Sequence, residues 1–149
     1  MAEACVFCAI AKGQKQAAIV AEQPDALVFL DARPLFAGHC LVIPREHVVS
    51  FSELGPEQIG PLFALVQTVS EAVERAMGSE GTFVALNNKV SQSVPHLHVH
   101  VVPRKRKDGL KGFFWPRHAY ASAEEMQAAA DKIRRELLAI NNRAADSSE

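Results

Sequence analysis

The sequence has few cysteines, no long apolar run and almost no net charge. It contains three cysteines, an odd number that excludes a complete disulfide framework and favours a metal site or free thiols. No apolar run approaches the roughly 20 residues needed to cross a bilayer, and the N-terminus lacks the basic start and apolar stretch of a secretory signal. The formal net charge of −1 gives no global indication of nucleic acid or an anionic membrane as a partner. We therefore expect a cytoplasmic protein.

The composition is that of one globular domain with a substantial core. Hydrophobic residues make up 48% of the chain, too many for a disordered protein, and 149 residues is a usual length for one domain. Residues 143–149 are small and polar and have no apolar anchor. We expect one domain over residues 1–142, followed by a flexible tail.

Turn residues separate short apolar runs, which is typical of strands. Gln23-Pro24-Asp25 divides the first two runs and predicts a hairpin, while Pro44 and Pro103 are expected to end the third and fifth runs. The predicted strands are residues 18–21, 27–30, 39–43, 82–86 and 96–102.

Two longer segments have helical periodicity. Residues 56–77 carry one apolar stripe, but Pro61 would remove a backbone donor, so we expect the regular helix to begin nearer Gly60 or to bend there. Ser122 and Glu125 form a capping box at the start of a second helix. The apolar face of that helix comprises Met126, Ala129, Ile133 and Leu137. Strands, then a long helix, then strands again predict an α+β fold with a five-stranded antiparallel sheet and a C-terminal helix.

Three histidines alternate with apolar residues in the fifth predicted strand, which runs His96-Leu97-His98-Val99-His100-Val101-Val102. Because alternate side chains of a strand share a face, about 6.5–7 Å apart, the imidazoles should line one face and the apolar residues the core face. A histidine can be neutral and nucleophilic near neutral pH, and its attack on phosphorus gives a covalent intermediate. The alternative is an ordinary amphipathic strand with histidines on its exposed face.

The pattern His-φ-His-φ-His-φ-φ, with φ apolar, resembles the signature of the histidine triad family at every position of residues 96–102. Gln92-Ser93 before it and Pro103-Arg104 after it are also similar to the family. The same is true of the upstream block formed by residues 29–34 and 38–44. The similarity extends from about residue 5 to residue 104.

The resemblance implies a dimeric nucleotide hydrolase or transferase in which His98 is the nucleophile that becomes nucleotidylated. His100 and His39 would contact the phosphate and help to place it. From the residues alone, His39 could instead be a satisfied strand histidine.

The resemblance also implies four substrate-binding residues. Asp31 would accept from the ribose hydroxyls, Gln92 and Ser93 would hydrogen-bond to the phosphate or leaving group, and Asn87 would donate near the ribose or phosphate. Asp31 could instead cap the turn that follows it, as aspartate often does. The loop 87–91 lacks the glycine that many members have just before the glutamine, which puts substrate placement at this loop in question.

Cys5 and Cys8 form a Cys-x-x-Cys pair, which is half of a tetrahedral zinc site. Cys40 stands alone in an apolar strand, so the remaining ligands would be histidines, and His47 and His96 have no other assigned task. A bacterial-type branch of the family binds zinc in this way, and the resemblance implies a structural Zn²⁺ on these four residues, with no metal needed for the chemical step. A thiol pair without metal and a redox pair are the alternatives.

A basic and aromatic segment follows the histidine strand and comprises Arg104, Lys105, Arg106, Lys107, Lys111, Phe113, Phe114, Trp115 and Arg117. A solvated loop is the usual meaning of such a run. The alternative is that its charges meet the additional phosphates of a polyphosphate substrate, while Phe114 or Trp115 stacks on a base or covers the pocket. Nucleic acid is a minor alternative.

We therefore expect a hydrolase or transferase that cleaves at the α-phosphate of adenine nucleotide conjugates through a nucleotidyl-His98 intermediate. The conjugates would be dinucleoside polyphosphates or adenosine phosphoramidates. Two other classes fit the same residues: a metal-dependent phosphohydrolase that uses the triad as ligands, and a non-catalytic nucleotide-binding regulatory module.

Overall fold

The computed structural model describes residues 5–110 and 118–146. The elements, in chain order, are α1 (Val6–Ala11), β1 (Ile19–Glu22), β2 (Ala26–Leu30), β3 (Cys40–Pro44), α2 (Pro56–Met77), β4 (Gly81–Ala85), β5 (Val99–Arg104) and α3 (Ala123–Asp146). The strands form one antiparallel sheet in the order β1-β2-β3-β5-β4. The predicted α+β class, the five-stranded sheet, the long helix and the C-terminal helix are confirmed, whereas α1 was not predicted.

The chain divides into two compact units, Met1–Gly109 and Leu110–Glu149. The first contains the sheet, α1 and α2, and the second contains α3. The predicted cap of α3 is present, because the Glu125 N–H donates to Ser122 Oγ at 3.1 Å. The helix continues through Asp146, four residues past the predicted domain end at 142. Residues 147–149 of the predicted tail lie outside the described residues.

The predicted apolar stripe of α2 packs on one face of the sheet. Leu62, Leu65, Val66, Val69 and Val73 are all buried there. They share one core cluster with Leu97, Val99 and Val101, which are fully buried. The predicted core face of the histidine segment is therefore confirmed.

The short helix α1 covers the opposite face of the sheet. Phe7 packs there in a second apolar cluster with Phe29, Leu41 and Ile43. The ring centroids of Phe7 and Phe29 lie 5.3 Å apart in an edge-to-face arrangement. The histidine face of the sheet is consequently buried rather than exposed: His96 is 0% exposed and His98 is 3% exposed.

Several predicted boundaries were wrong, and at Pro44, Pro103 and Pro61 proline was given too much weight. Pro44 and Pro103 lie inside β3 and β5. The β3–β5 ladder spans only Cys40–Val42 on β3 and Val99–Val101 on β5. Because both prolines lie beyond this ladder, none of its hydrogen bonds is lost. β5 begins at Val99 rather than at residue 96, since the Leu97 N–H donates to the Val48 carbonyl of a loop. α2 begins at Pro56 and includes Pro61. Because Pro61 has no N–H, the Glu57 carbonyl lacks its helical hydrogen bond, and Glu57 is exposed to water.

No helix in residues 5–110 or 118–146 is both long enough and apolar enough to cross a membrane.

Candidate active site and metal site

The antiparallel register brings Asp31, His39 and His100 together on the face that α1 covers. Leu30 of β2 pairs with Cys40 of β3, so Asp31 and His39 lie opposite each other, and the Asp31 N–H donates to the His39 carbonyl at 2.9 Å. His100 pairs with Leu41 and is therefore a diagonal neighbour of His39. Residues far apart in sequence thus meet at one end of three adjacent strands.

A tight turn fixes the backbone in front of His39. Gly38 has a φ of 92°, and a Cβ at this position would lie 2.6 Å from Met77 Cγ. Only glycine combines this left-handed conformation with such a close approach. The contact with the end of α2 holds the chain where it enters β3.

Hydrogen bonds set the tautomers of His39 and His100. The Leu35 N–H donates to His39 Nδ1 at 3.1 Å, so a neutral His39 carries its proton on Nε2. That Nε2–H lies 2.9 Å from His100 Nδ1 and donates to it, which leaves the proton of a neutral His100 on Nε2. The backbone donor at Leu35 had no signal in the sequence.

A backbone carbonyl orients His98. Its Nδ1 lies 2.7 Å from the His96 carbonyl oxygen and donates to it, so the lone pair of the neutral ring is on Nε2. The ring is buried between Phe7, at a centroid distance of 5.2 Å, and His100, at 4.9 Å. This arrangement leaves one ring nitrogen with a free lone pair on a buried side chain.

Burial keeps the surrounding imidazoles neutral. It lowers the pKa of His100 to about 4, and the nearby His98 and His39 add to this effect. Burial also lowers the pKa of His39, although the Asp31 carboxylate partly opposes the shift. At neutral pH both rings are therefore hydrogen-bonding groups rather than fixed cations.

A cavity of about 540 Å³ opens beside these residues. Asp31, Ser93, His98 and His100 supply polar groups, and apolar walls come from α1, β2 and β3. Its principal apolar lining residues are Val6, Phe7, Ile10, Phe29 and Leu41. The contribution of α1 was missed in the sequence, where Val6 and Phe7 were treated only as spacers in the Cys-x-x-Cys pair.

Asp31 caps the turn that follows it, because its Oδ1 accepts from the Arg33 N–H at 2.9 Å. The other oxygen, Oδ2, lies 3.8 Å from His39 Nε2, and Asp31 also lines the cavity. One carboxylate oxygen thus fixes the turn while the other faces the imidazole pair.

The other predicted substrate-binding residues differ in their positions. Ser93 lines the cavity. The Gln92 amide spans its loop, donating to the Val49 carbonyl at 2.7 Å and accepting from the Lys89 N–H at 2.9 Å. The exposed Asn87 side chain donates to the Ser91 carbonyl at 3.2 Å. Gln92 and Asn87 therefore organise the loop that leads to Ser93.

The predicted zinc ligands form one cluster. The donor atoms of Cys5, Cys8, His47 and His96 all lie within 4.8 Å of one another. His96 Nε2 donates to the Pro44 carbonyl at 2.8 Å, so its Nδ1 lone pair faces the thiols of Cys5 and Cys8 at 3.5 and 3.4 Å. His47 Nδ1 lies 3.2 Å from the Cys8 sulfur. Two thiols and two imidazole nitrogens are a donor set suited to tetrahedral zinc.

Burial raises the pKa of the Cys8 thiol, which disfavours a bare thiolate. A bound cation would reverse this effect, since a thiol that coordinates a metal is deprotonated. The pair lies at the start of α1, with Cys5 at the N-cap. Redox-active thiols also occupy helix N-termini, but both of these are buried against histidine nitrogens.

A second group of possible metal ligands consists of Asp31, His39 and His100. The hydrogen bonds disfavour a metal here, because a ligand role for His39 Nε2 would move the proton to Nδ1. That nitrogen already accepts from the Leu35 N–H. The metal-dependent alternative would therefore break the hydrogen bond that orients His39.

The basic run Arg104-Lys105-Arg106 contributes to a surface separate from the histidine cavity. Arg104 binds Asp108 through two bonds of 2.6 and 3.0 Å, and the Arg106 N–H donates to Glu80. Arg104, Lys105 and Arg106 line a concavity with Glu80 and Gly81. The part of the predicted segment from Lys111 to Arg117 lies outside the described residues.

Comparison with known proteins identifies the family. Residues 12–107 match the model of the HIT domain. The chain belongs to the HIT domain family. HIT proteins similar to it include adenosine 5′-monophosphoramidase hnt1 of Schizosaccharomyces pombe, which is 36% identical over 87% of this chain and 95% of the relative. Adenylylsulfatase HINT3 of Arabidopsis thaliana is 31% identical over 91% of this chain and 71% of the relative.

A solved structure of a HIT protein bears on the metal cluster. The zinc-bound histidine triad family protein from Mycobacterium smegmatis has a TM-score of 0.70 and 32% identity, and the match covers 91% of this chain and 99% of that one. The predicted resemblance to HIT proteins is therefore confirmed.

Proposed function

We propose that this protein is a nucleotide hydrolase or transferase that cleaves at the α-phosphate of adenine nucleotide conjugates, with His98 as the nucleophile. The observation that carries the proposal is the bond from His98 Nδ1 to the His96 carbonyl at 2.7 Å, which leaves Nε2 unprotonated. The names of two relatives, an adenosine phosphoramidase and an adenylylsulfatase, support an adenylyl substrate.

In the first step, the His98 Nε2 lone pair forms a bond to the α-phosphorus. The bond from phosphorus to the leaving nitrogen or bridging oxygen breaks, and its electron pair departs with the leaving group, which takes up a proton from water. The resulting nucleotidyl-imidazolium keeps its Nδ1–H on the His96 carbonyl. Water then attacks phosphorus, loses a proton and releases the nucleoside monophosphate and neutral His98.

Neutral donors would stabilise the charge on the phosphate oxygens. His100 carries its proton on Nε2 because Nδ1 is occupied by His39, so it can donate to an equatorial oxygen without prior protonation. Ser93 Oγ is a second donor on the cavity wall. We assign Gln92 and Asn87 to the same site through the loop that holds Ser93.

Asp31 would accept from the ribose hydroxyls. Its Oδ1 is occupied by the Arg33 N–H, so Oδ2 is the oxygen available for this contact. The apolar walls from α1 and β2 would cover the base, since ligand cavities are mainly apolar with a few orienting polar groups.

The Cys5–Cys8–His47–His96 cluster would hold a structural Zn²⁺. The donor set fits this ion, and the zinc-bound HIT protein supports the assignment. When bound, the ion would link α1 to the segment that precedes β5 and to the loop after β3, and it would contribute to folding.

We also propose that the protein is a homodimer in the cytoplasm. The apolar face of α3 supports self-association, since Ile133 is 70% exposed and Leu137 is 56% exposed. Sedimentation equilibrium should give twice the chain mass of 16.2 kDa. A single-chain mass at micromolar concentration would contradict the dimer.

The kinetic test compares wild type with His98→Asn on a fluorogenic adenosine phosphoramidate and a dinucleoside tetraphosphate. We expect His98→Asn to lower kcat at least about 1000-fold while AMP binding persists, because only the covalent route is removed. His118→Asn is the matched control, since His118 is an exposed histidine of the second compact unit. Substantial activity of His98→Asn would refute the mechanism, and an inactive wild type that still binds AMP would indicate a binding module.

A further inference from the structure

Lys15 lines the cavity together with Phe7, Ile10 and His98. Its side chain is exposed, and within the described residues its ammonium has no ion pair or hydrogen bond. Because the ammonium has no such partner, it contributes no ion pair or hydrogen bond to the folded structure of the described residues. It offers three donors and no acceptor to whatever occupies that cavity.

The position of Lys15 follows from α1. Phe7 contacts the His98 ring, Ile10 lies three residues further along the helix, and the Lys15 N–H donates to the Ala9 carbonyl at 3.2 Å. α1 ends at Ala11, and this bond holds Lys15 beside the last turn of the helix, on the same cavity wall as Ile10. A nucleotide with its α-phosphate at His98 would therefore extend its base towards Ile10 and Lys15.

We propose that Lys15 hydrogen-bonds to the purine base and favours 6-oxopurines over adenine. The inference rests on the proposed function in placing the α-phosphate at His98, and it widens the base of the proposed substrates from adenine to the 6-oxopurines. Guanine and hypoxanthine present two adjacent acceptors, N7 and O6, whereas adenine presents the N7 acceptor beside the N6 amino donor. An ammonium can bond to both acceptors of a 6-oxopurine, but its N–H groups oppose the amino group of adenine.

Gln16 also lines the cavity and could act in the opposite direction. A glutamine amide can bond to both N6 and N7 of adenine. The lysine should dominate, because a hydrogen bond from a charged donor is roughly twice as strong as one between neutral groups. Lys15 thus favours a 6-oxopurine base, whereas Gln16 favours adenine.

The test measures the dissociation constants of AMP, GMP and IMP by calorimetry on the full-length protein. We expect GMP and IMP to bind about threefold to tenfold more tightly than AMP, and equally to each other, because both share N7 and O6. Lys15→Met should abolish the difference by weakening GMP and IMP alone. Lys12→Met is the matched control, since Lys12 is an exposed lysine in the same segment that does not line the cavity.

Three results would overturn the proposal. Equal weakening of all three nucleotides by Lys15→Met would place the ammonium at the phosphate. A wild-type preference for AMP that Gln16→Met removes would assign the base contact to Gln16. No binding of any nucleotide would refute both this inference and the proposed function. A Lys15-dependent base preference without turnover would uphold the inference and refute only the catalytic proposal.

Discussion

Ser91 has a backbone φ of 59° and Lys89 a φ of 67°, both in the left-handed region. Ser91 directly precedes Gln92, where many relatives were expected to have glycine. The missing glycine is therefore explained: serine adopts the conformation that glycine would take there. The loop keeps its shape through the Asn87 and Gln92 amides.

Ser91→Gly should raise the free energy of unfolding by about 0.5–1 kcal/mol. Relief of left-handed strain, roughly 1–2 kcal/mol, exceeds the entropy cost of glycine, about 0.5–1 kcal/mol. Ser91→Val should instead destabilise the protein, because a β-branched residue tolerates positive φ poorly. Urea unfolding measures both variants. A Ser91→Gly protein less stable than wild type would indicate that the serine side chain stabilises the loop.

The half-buried His100 predicts a dependence of stability on pH. Its pKa is lowered from 6.5 to about 4 in the folded protein, so between these values the unfolded chain binds more protons. Stability should therefore fall as pH decreases through this window. His39 adds to the loss, since burial also lowers its pKa. Urea midpoints at about pH 7.5 and about pH 5 should differ less in His100→Gln than in wild type. An identical pH dependence in the two proteins would contradict the assignment of this loss of stability to His100.

At the scale of elements, α1 joins the proposed metal site to the cavity. Cys5 and Cys8 supply two donors of the cluster, while Val6, Phe7 and Ile10 line the cavity. His96 supplies a third donor, and its carbonyl accepts from His98. The metal would thus position the wall that covers the nucleotide.

Cys8→Ala should remove the metal, lower the melting temperature and raise KM about threefold or more, with a smaller effect on kcat. The reason is that α1 would lose its link to His47 and His96, whereas the His98 bond to the backbone carbonyl would remain. Native mass spectrometry should find about one zinc per wild-type chain. Cys40→Ala is the matched control, because Cys40 is also buried but lies outside the cluster. A metal-free wild-type protein of full stability would refute the structural zinc.

The elements differ in how well the sequence predicts them. Short apolar runs between turn residues predicted the strands, and helical periodicity predicted α2, because burial leaves these local patterns in the sequence. The six-residue helix α1 is too short to show periodicity, and it was missed together with its contribution to the cavity. The irregular start of β5 depends on a bond to Val48, a contact distant in sequence. Such tertiary contacts leave no local pattern.

At the scale of the whole molecule, the sheet order assembles the candidate site. Asp31 follows β2, His39 precedes β3 and His100 lies in β5, which is next to β3 in the sheet although α2 and β4 separate them in the chain. The alternation of histidines with apolar residues predicted that the histidines share one face. The cysteine and histidine donors predicted the metal cluster. The tautomers of His98, His100 and His39 could not be predicted, because they depend on backbone groups at His96 and Leu35.

The central claim is covalent catalysis by His98. Wild-type protein should be mixed with an adenosine phosphoramidate, quenched within a turnover under conditions that preserve the phosphorus–nitrogen bond, and digested for mass spectrometry. We predict one adenylyl group on the peptide that contains His96, His98 and His100, with fragmentation assigning it to His98 and no adduct in His98→Asn. Rapid turnover without any adduct, or an adduct on another residue, would contradict the account.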